Sequence, residues 1–511
     1  MARYLLCILM LPPIVLAQHV TIADSGTYYH VVCDLASAGS RHQMGLELGQ
    51  QIAAAAPEFG TLVDSYLAER SGSNSTYNAW IARMGDIWPQ VPQEFRDEID
   101  GMTEGVAAET MNVRGDGKLS RDEIRLLNLF PDCARTSQCA GLTVFGAGSA
   151  SGSPMTARVL DWHSGNQNQL GQVQAATFIR NGSQSVCLVG HLGFMGAVTG
   201  FNEDGLFAGI LDSPTGAAYS SSGKRSYAMD IRKSLENFGD MDSAAAWLAD
   251  TSRHYAYNHL VLMSDRNGGG VLENNFSGSG TAMRRALRRD SSGLNPGVDW
   301  EYPGAVAAVN SFVLLSNHDN HTGVQFNTGR WSSFRNQMGA FGQVDWEELK
   351  LIAGFDNGNG PGYEYTDIYN AGNHQIVCYR PDSMILEVAF KPKSGVLPDD
   401  PIFQRVPASF DSSSGVGGRA VPEPAGRSRL LVYPNPCRDR VRIFLEGTGA
   451  GATDVRVYDV SGRRAGSLRH PSASACPAVI EMYVGHLSPG VYFVVSTDGN
   501  ARRAVKIVKT E

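Results

Sequence analysis

Cys139-Ala-Gly-Leu-Thr-Val-Phe145 is followed by Gly146-Ala-Gly-Ser-Ala-Ser-Gly-Ser-Pro154, and then by Met155-Thr-Ala-Arg158-Val-Leu-Asp161-Trp162. Two runs rich in β-branched and apolar residues flank a loop of small residues, which reads as a β-hairpin. A cysteine heads the outgoing strand. An arginine and an aspartate sit three apart on the return strand. On spacing alone, a buried strand cysteine beside a surface Arg/Asp pair fits better than a reactive centre does.

Outward from the hairpin the texture differs on the two sides. Before it, Met44-Gly-Leu-Glu-Leu-Gly-Gln-Gln-Ile and Glu94-Phe-Arg-Asp-Glu-Ile-Asp-Gly-Met carry apolar residues at helical spacing. Ser120-Arg-Asp-Glu123 opens a third helix as a capping box. After it, short strand-like runs such as Ala176-Thr-Phe-Ile, Leu206-Phe-Ala-Gly-Ile-Leu and Gln375-Ile-Val-Cys-Tyr alternate with glycine turns and two helical segments. The fold class expected is α+β. Residues 396–428 lose periodicity and read as a linker, and 429–511 read as a small all-β sandwich.

The chain has 511 residues, 57 glycines and a net charge of −8. No basic block points to nucleic acid, and no later segment has the ~18 apolar residues of a membrane span. Residues 1–17 read as a secretory signal peptide, with Arg3, a short apolar stretch and a small residue at Ala17. Export makes the cysteine count informative. Of 8 cysteines, Cys7 lies in the signal, and the 7 others cannot all pair with one another. Cys139 is the candidate for the thiol left over, and Cys437 with Cys476 is a candidate bridge.

A cysteine at the head of a strand can act as an N-terminal nucleophile. The chain cuts itself before the cysteine, and the freed α-amino group, ordinarily near ~7.7–8.0, serves as the base for the thiol. A neighbouring cation favours the thiolate. Arg158 is placed to supply it, and Asp161 to orient the amine. Cys133, six residues earlier, is a rival nucleophile that precedes no strand directly.

Ordered motifs extend the pattern. They are Gly101-Met-Thr-Glu-Gly105, Ile124-Arg-Leu-Leu-Asn128, Cys139, Arg158-Val-Leu-Asp161, Gly200-Phe-Asn-Glu-Asp-Gly205-Leu, Tyr257-Asn258-His259, Ser316-Asn317-His318, Ser333-Phe-Arg335 and His374-Gln-Ile-Val377. Together they resemble the penicillin acyltransferase-like branch of the N-terminal nucleophile hydrolases, related to isopenicillin-N acyltransferases, choloylglycine hydrolases and acid ceramidases. The resemblance implies a four-layer αββα fold, with an α-chain or pro-segment over 18–138 and a β-chain over 139–395. It implies autocleavage between Gln138 and Cys139. It implies action on the linear amide bond of a small N-acyl substrate through an acyl-thioester, by hydrolysis or acyl transfer, with no cofactor. Cys139, Arg158, Asp161, Asn258, Asn317 and Arg335 are the residues it carries over as catalytic. A phospholipase B-like lipid hydrolase and an inactive binding module of the same fold are the alternatives. Ala140, where the family usually has threonine, and Asp212, where it often has asparagine, depart from the pattern.

Tyr433-Pro-Asn-Pro436, Val457-Tyr-Asp-Val-Ser-Gly-Arg463, Leu487-Ser-Pro-Gly-Val-Tyr-Phe493 and Lys506-Ile-Val-Lys509 follow one another in order. They resemble the C-terminal sorting domain of type IX secretion substrates. That domain implies an Ig-like sandwich, the secretion machinery as partner, and a secreted or cell-surface protein. Two further patterns read more simply. Asn112 to Glu123 is similar to a calcium loop, but Arg114 occupies a ligand position, so a degenerate loop feeding a helix is expected. His318 and His321 lack the partners of a metal site.

Overall fold

The computed structural model describes residues 18–134, 137–213, 219–275, 284–317, 321, 323–358, 360–410, 430–445, 453–459, 463–470, 478–498 and 501–510. The signal peptide, Cys476 and His318 lie outside these residues, and so does most of the linker.

Two sheets stack against each other. The larger has nine strands in the order Val20–Asp24, Tyr29–Asp34, Gln174–Arg180, Val186–His191, Thr199–Asn202, Phe207–Asp212, His259–Ser264, Gly269–Asn275 and Arg284–Arg288. The smaller has six, in the order Ala305–Val309, Ser137–Val144, Met155–Trp162, Asn373–Arg380, Ile385–Phe390 and Gln404–Val406. The hairpin read from the sequence is therefore central in the six-stranded sheet. Its register places Cys139 opposite Leu160 and Gln138 opposite Asp161.

Side chains alternate across this sheet with the period of two that strands impose. Ala140, Leu142 and Val144 share one apolar cluster with Met155, Ala157 and Val159, against helices Gln325–Phe341 and Trp346–Ala353. Cys139, Leu160 and Trp162 belong to a different cluster, shared with the nine-stranded sheet and with helices of the N-terminal region. Helices Tyr227–Asn237 and Met241–Leu248 cover the far side of the nine-stranded sheet. The order is helix, sheet, sheet, helix, so the expected αββα architecture is present.

The N-terminal helices Arg41–Ala55 and Gln93–Gly105 cross at very short range. A Cβ added at Gly45 would sit 1.9 Å from the Glu98 carbonyl oxygen, and one at Gly101 would sit 2.1 Å from that of His42. The glycines of the Gly101–Gly105 motif thus serve backbone-to-backbone packing. Helix Arg121–Ala134 has the reciprocal cap read from the sequence: the Ser120 amide donates to Glu123 Oε2 at 2.8 Å, and the Glu123 amide donates to Ser120 Oγ at 3.2 Å.

The C-terminal region is all β. One sheet orders Leu430–Tyr433, Arg440–Leu445 and Ala478–Tyr483, and the other orders Arg464–His470, Thr453–Asp459, Gly490–Asp498 and Ala501–Lys509. Val432, Val441, Ile443, Val455, Val457, Val494 and Ile507 pack between them.

Candidate active site

Cys139 is buried on the inner face of the six-stranded sheet, one residue inside the exposed Gln138. The bond expected to break therefore crosses from surface to interior. The Cys139 amide donates to Asn310 Oδ1 at 2.7 Å. Asn310 follows the strand Ala305–Val309, which pairs with the Cys139 strand and sets Val309 opposite Ala140. Asn310 Nδ2 donates to the Asp212 carbonyl at 2.7 Å, and the Asn310 carbonyl accepts from Asn327 Nδ2 at 3.1 Å. The acceptor beside the Cys139 nitrogen is thus fixed from both ends.

Arg158 reaches the sulfur along the same face. Its Nη2 lies 3.3 Å from Cys139 Sγ and donates to the Ile210 carbonyl at 2.7 Å. The side chain is fully buried, and its Nε and Nη1 have no hydrogen-bond partner among the described residues. Burial lowers the arginine's pKa, while the Cys139, Asp161 and Asp212 charges act against that. Gly209 makes the passage possible, since a Cβ there would stand 2.8 Å from Arg158 Cγ. That is the physical content of the small residue in Leu206-Phe-Ala-Gly209.

Asp161 points to the other face. It accepts from Arg330, from Asn370 at 3.2–3.3 Å and from Asn373. Arg330 is anchored in turn by the Asp367 carbonyl, which accepts from its Nε at 3.1 Å. Asn310 thus holds the Cys139 nitrogen, and these three side chains hold Asp161.

The remaining expected residues fall into two places. Asn258 and Asn317 are both buried and meet through Asn275. Asn258 Nδ2 donates to Asn275 Oδ1 at 3.4 Å, and Asn275 Nδ2 donates to Asn317 Oδ1 at 2.8 Å. Asn317 Nδ2 then donates to Glu273 at 2.8 Å, and Glu273 accepts from Arg288 at 3.0 Å. This network touches the Cys139 side through Ser213, whose amide donates to the Asn258 carbonyl at 3.2 Å, next to the Asp212 carbonyl held by Asn310. Arg335 lies elsewhere, at the surface, paired with Glu301 at 2.8 Å.

Asn310, Arg330, Asn370 and Asn373 escape a reading of the sequence. Each is a lone polar residue outside the motifs, brought in from 169 or more positions along the chain, although Asn373 directly precedes the His374 strand motif.

Cys133, the rival nucleophile, is buried at a helix end, and burial pushes its thiol well above the usual range. Its carbonyl accepts from Arg83 at 2.8 Å. In the calcium-like loop, Arg114 is spent on the Ala68 carbonyl and on Ser71 Oγ at 2.9 Å. Glu123 accepts from Tyr77 at 2.5 Å and from Ser120. Arg114 and Glu123 are thus both engaged by protein groups. His321 bonds Ser311 Oγ at 2.8 Å. Among the described residues no group of three or more His, Cys, Asp or Glu could hold a metal, and no helix is long and apolar enough to cross a membrane.

Several solved structures are similar to this chain. A Caenorhabditis elegans ortholog of N-acylethanolamine-hydrolyzing acid amidase is 14% identical, with TM-score 0.35, covering 48% of this chain and 93% of its own. A mutant conjugated bile acid hydrolase from Clostridium perfringens is 14% identical, with TM-score 0.32, covering 53% and 97%. Dimeric latent PorU from Porphyromonas gingivalis is 11% identical, with TM-score 0.15, covering 73% and 30%. No curated protein sequence matches the chain. Residues 431–510 match the family model described as the secretion system C-terminal sorting domain, which marks a secreted or cell-surface protein.

Proposed function

We propose that this chain is a cysteine hydrolase or acyltransferase of linear amides, activated by cleavage between Gln138 and Cys139. The observation that carries the reading is the pairing of Arg158 Nη2 with Cys139 Sγ at 3.3 Å, while Asn310 holds the Cys139 nitrogen at 2.7 Å. A buried guanidinium beside a thiol favours the thiolate, which is the nucleophilic form.

In the maturation step Cys139 Sγ adds to the Gln138 carbonyl. The Gln138–Cys139 C–N bond breaks as the nitrogen gains a proton, leaving Gln138 as a thioester on Sγ. Water hydrolyses the thioester and returns the thiol. The new α-amine then takes the Sγ proton in each turnover. The thiolate attacks the substrate amide, the α-ammonium passes its proton to the substrate nitrogen so that the amine product leaves as the C–N bond breaks, and water or an acceptor amine resolves the acyl-thioester. Asn310 is placed to orient the α-amine. Asp161, with Arg330, Asn370 and Asn373, fixes the return strand opposite the cut. Asn258 and Asn317 sit in the network behind it. The substrate is a small N-acyl compound, and the chemistry needs no cofactor.

The sorting domain supports export through the type IX machinery after passage directed by residues 1–17. Intact-mass measurement of purified protein tests the central claim. The wild type should yield a chain beginning at Cys139, and Cys139→Ala should stay whole and inactive. An uncut wild type that hydrolyses N-acyl substrates would refute the reading.

A further inference from the structure

The sorting domain's first strand does not end at its own core. Tyr433, at the head of Tyr433-Pro-Asn-Pro436, is 1% exposed and packs in the cluster of the six-stranded sheet and its helices, with Trp346, Phe355 and Tyr369. Its hydroxyl donates to the Gly354 carbonyl at 2.8 Å and accepts from the Asp356 amide at 2.8 Å. The ring meets Phe355 edge-on at 5.8 Å. Next to it, Pro434 lies against Gly358, where an added Cβ would stand 3.3 Å from the proline ring. Arg442 on the following strand pairs with Asp400.

This arrangement is specific in the way a buried tyrosine must be. A phenol taken out of water needs partners for its hydroxyl, and here one backbone acceptor and one backbone donor supply both. Those two groups flank Phe355, whose carbonyl accepts from the Ile368 and Tyr369 amides at 2.9 and 2.8 Å. Asp367 and Asn370 sit on the same segment and hold Arg330 and Asp161. A continuous set of contacts therefore runs from Tyr433 to the aspartate opposite the cut.

We propose that Tyr433 is a latch: the Gly354 carbonyl, the Asp356 amide and the Phe355 ring form a tyrosine socket that docks the sorting domain on the catalytic portion and braces the segment behind Asp161. The docking stands by itself. Its consequence for catalysis rests on the active site proposed above.

The test uses the full chain with a specific protease sequence inserted at Gly418, cut after folding and run on size exclusion. The two pieces of the wild type should elute together. Tyr433→Ala should release the sorting piece. Tyr433→Phe, which keeps the ring and loses both hydroxyl bonds, should weaken reassociation roughly tenfold or more. Release should also speed hydrogen exchange at the Asp356, Ile368 and Tyr369 amides. Wild-type pieces that separate, or Tyr433→Ala pieces that stay together as tightly as wild type, would overturn the latch. Release without faster exchange would overturn the bracing of Asp161. Cleavage at Cys139, scored on the same samples, separates the two ideas. Its absence with the latch intact counts against the proposed function alone.

Discussion

The Cys139 amide donates to Asn310 Oδ1 at 2.7 Å, and Nδ2 of the same asparagine donates to the Asp212 carbonyl at 2.7 Å. Asn310 is therefore a fixed acceptor at the nitrogen that, in the proposed mechanism, would be the leaving group in maturation and the base afterwards. Removing it leaves that nitrogen without its orienting partner. Asn310→Ala should slow autocleavage roughly 100-fold. Asn310→Asp keeps the acceptor and should cleave faster than the alanine variant. A gel time course of freshly folded protein measures both. Alanine cleaving at the wild-type rate would remove Asn310 from the mechanism.

Arg158 offers a different test, because its charge and its reach are separable. Arg158→Lys keeps a cation, but the shorter ammonium cannot serve both Cys139 Sγ and the Ile210 carbonyl as the guanidinium does. Arg158→Gln removes the charge. On the matured enzyme, kcat/KM should fall about 100-fold or more in the glutamine variant, with lysine intermediate. The midpoint of iodoacetamide inactivation of Cys139 should move to higher pH in the same order. An unchanged midpoint in Arg158→Gln would show that the guanidinium does not favour the thiolate.

Arg330 and Arg335 lie on one helix, Gln325–Phe341, and make opposite predictions. At 3.6 residues per turn, a separation of five residues turns a side chain by about 140°. Arg330 consequently faces inward to buried Asp161, and Arg335 faces outward to Glu301. Arg330→Met strands a buried carboxylate and should cost about 3 kcal/mol, read by urea unfolding. Arg335→Met breaks a screened surface pair and should stay within about 0.5 kcal/mol. Equal costs would contradict this assignment of faces.

That helix also shows where sequence reading reaches its limit. The hairpin is legible because β-branched runs flanking a Gly/Ser loop carry a local signal, and it appears as Ser137–Val144 and Met155–Trp162. The Arg158 contact is legible too, since hairpin register places the Arg158 strand beside Cys139. Arg330 is not, because a helix interior carries no mark of which arginine meets a distant aspartate. Asn310 is hidden for a related reason. It enters by strand pairing, 171 residues along the chain from Cys139, and a single asparagine after an apolar run reads as a turn.

Two buried groups near the site should give the folding stability a pH dependence with opposing limbs. Asp132, beside Cys133, accepts from Ser226 Oγ at 2.6 Å and from the Tyr227 amide at 2.9 Å. Burial, with the Asp230 and Asp212 charges, outweighs these bonds and raises its pKa to about 7. The unfolded carboxyl ionises near ~3.9, so the folded chain binds the extra proton between those values. This contribution is complete below pH ~4 and is lost as pH rises through about 7. His191 behaves in the reverse sense. Burial lowers its pKa to about 4, with its Nε2 2.9 Å from that of His374, whose pKa is lowered by burial too. Its contribution is present above pH ~6.5 and is lost as pH falls through about 4. Over the shared window the two limbs oppose each other, each on the order of 3 kcal/mol. Glu348, Asp356 and Asp367, also raised by burial, carry falling limbs of the same sign, so Asp132→Asn is read as a difference: the stability it loses relative to the wild type should be greatest near pH ~4 and shrink as pH rises toward about 7. His191→Gln should leave the aspartate limb, with stability falling as pH rises toward about 7. Urea midpoints across that range measure both, and parallel profiles in the two variants would show that neither group carries the linkage.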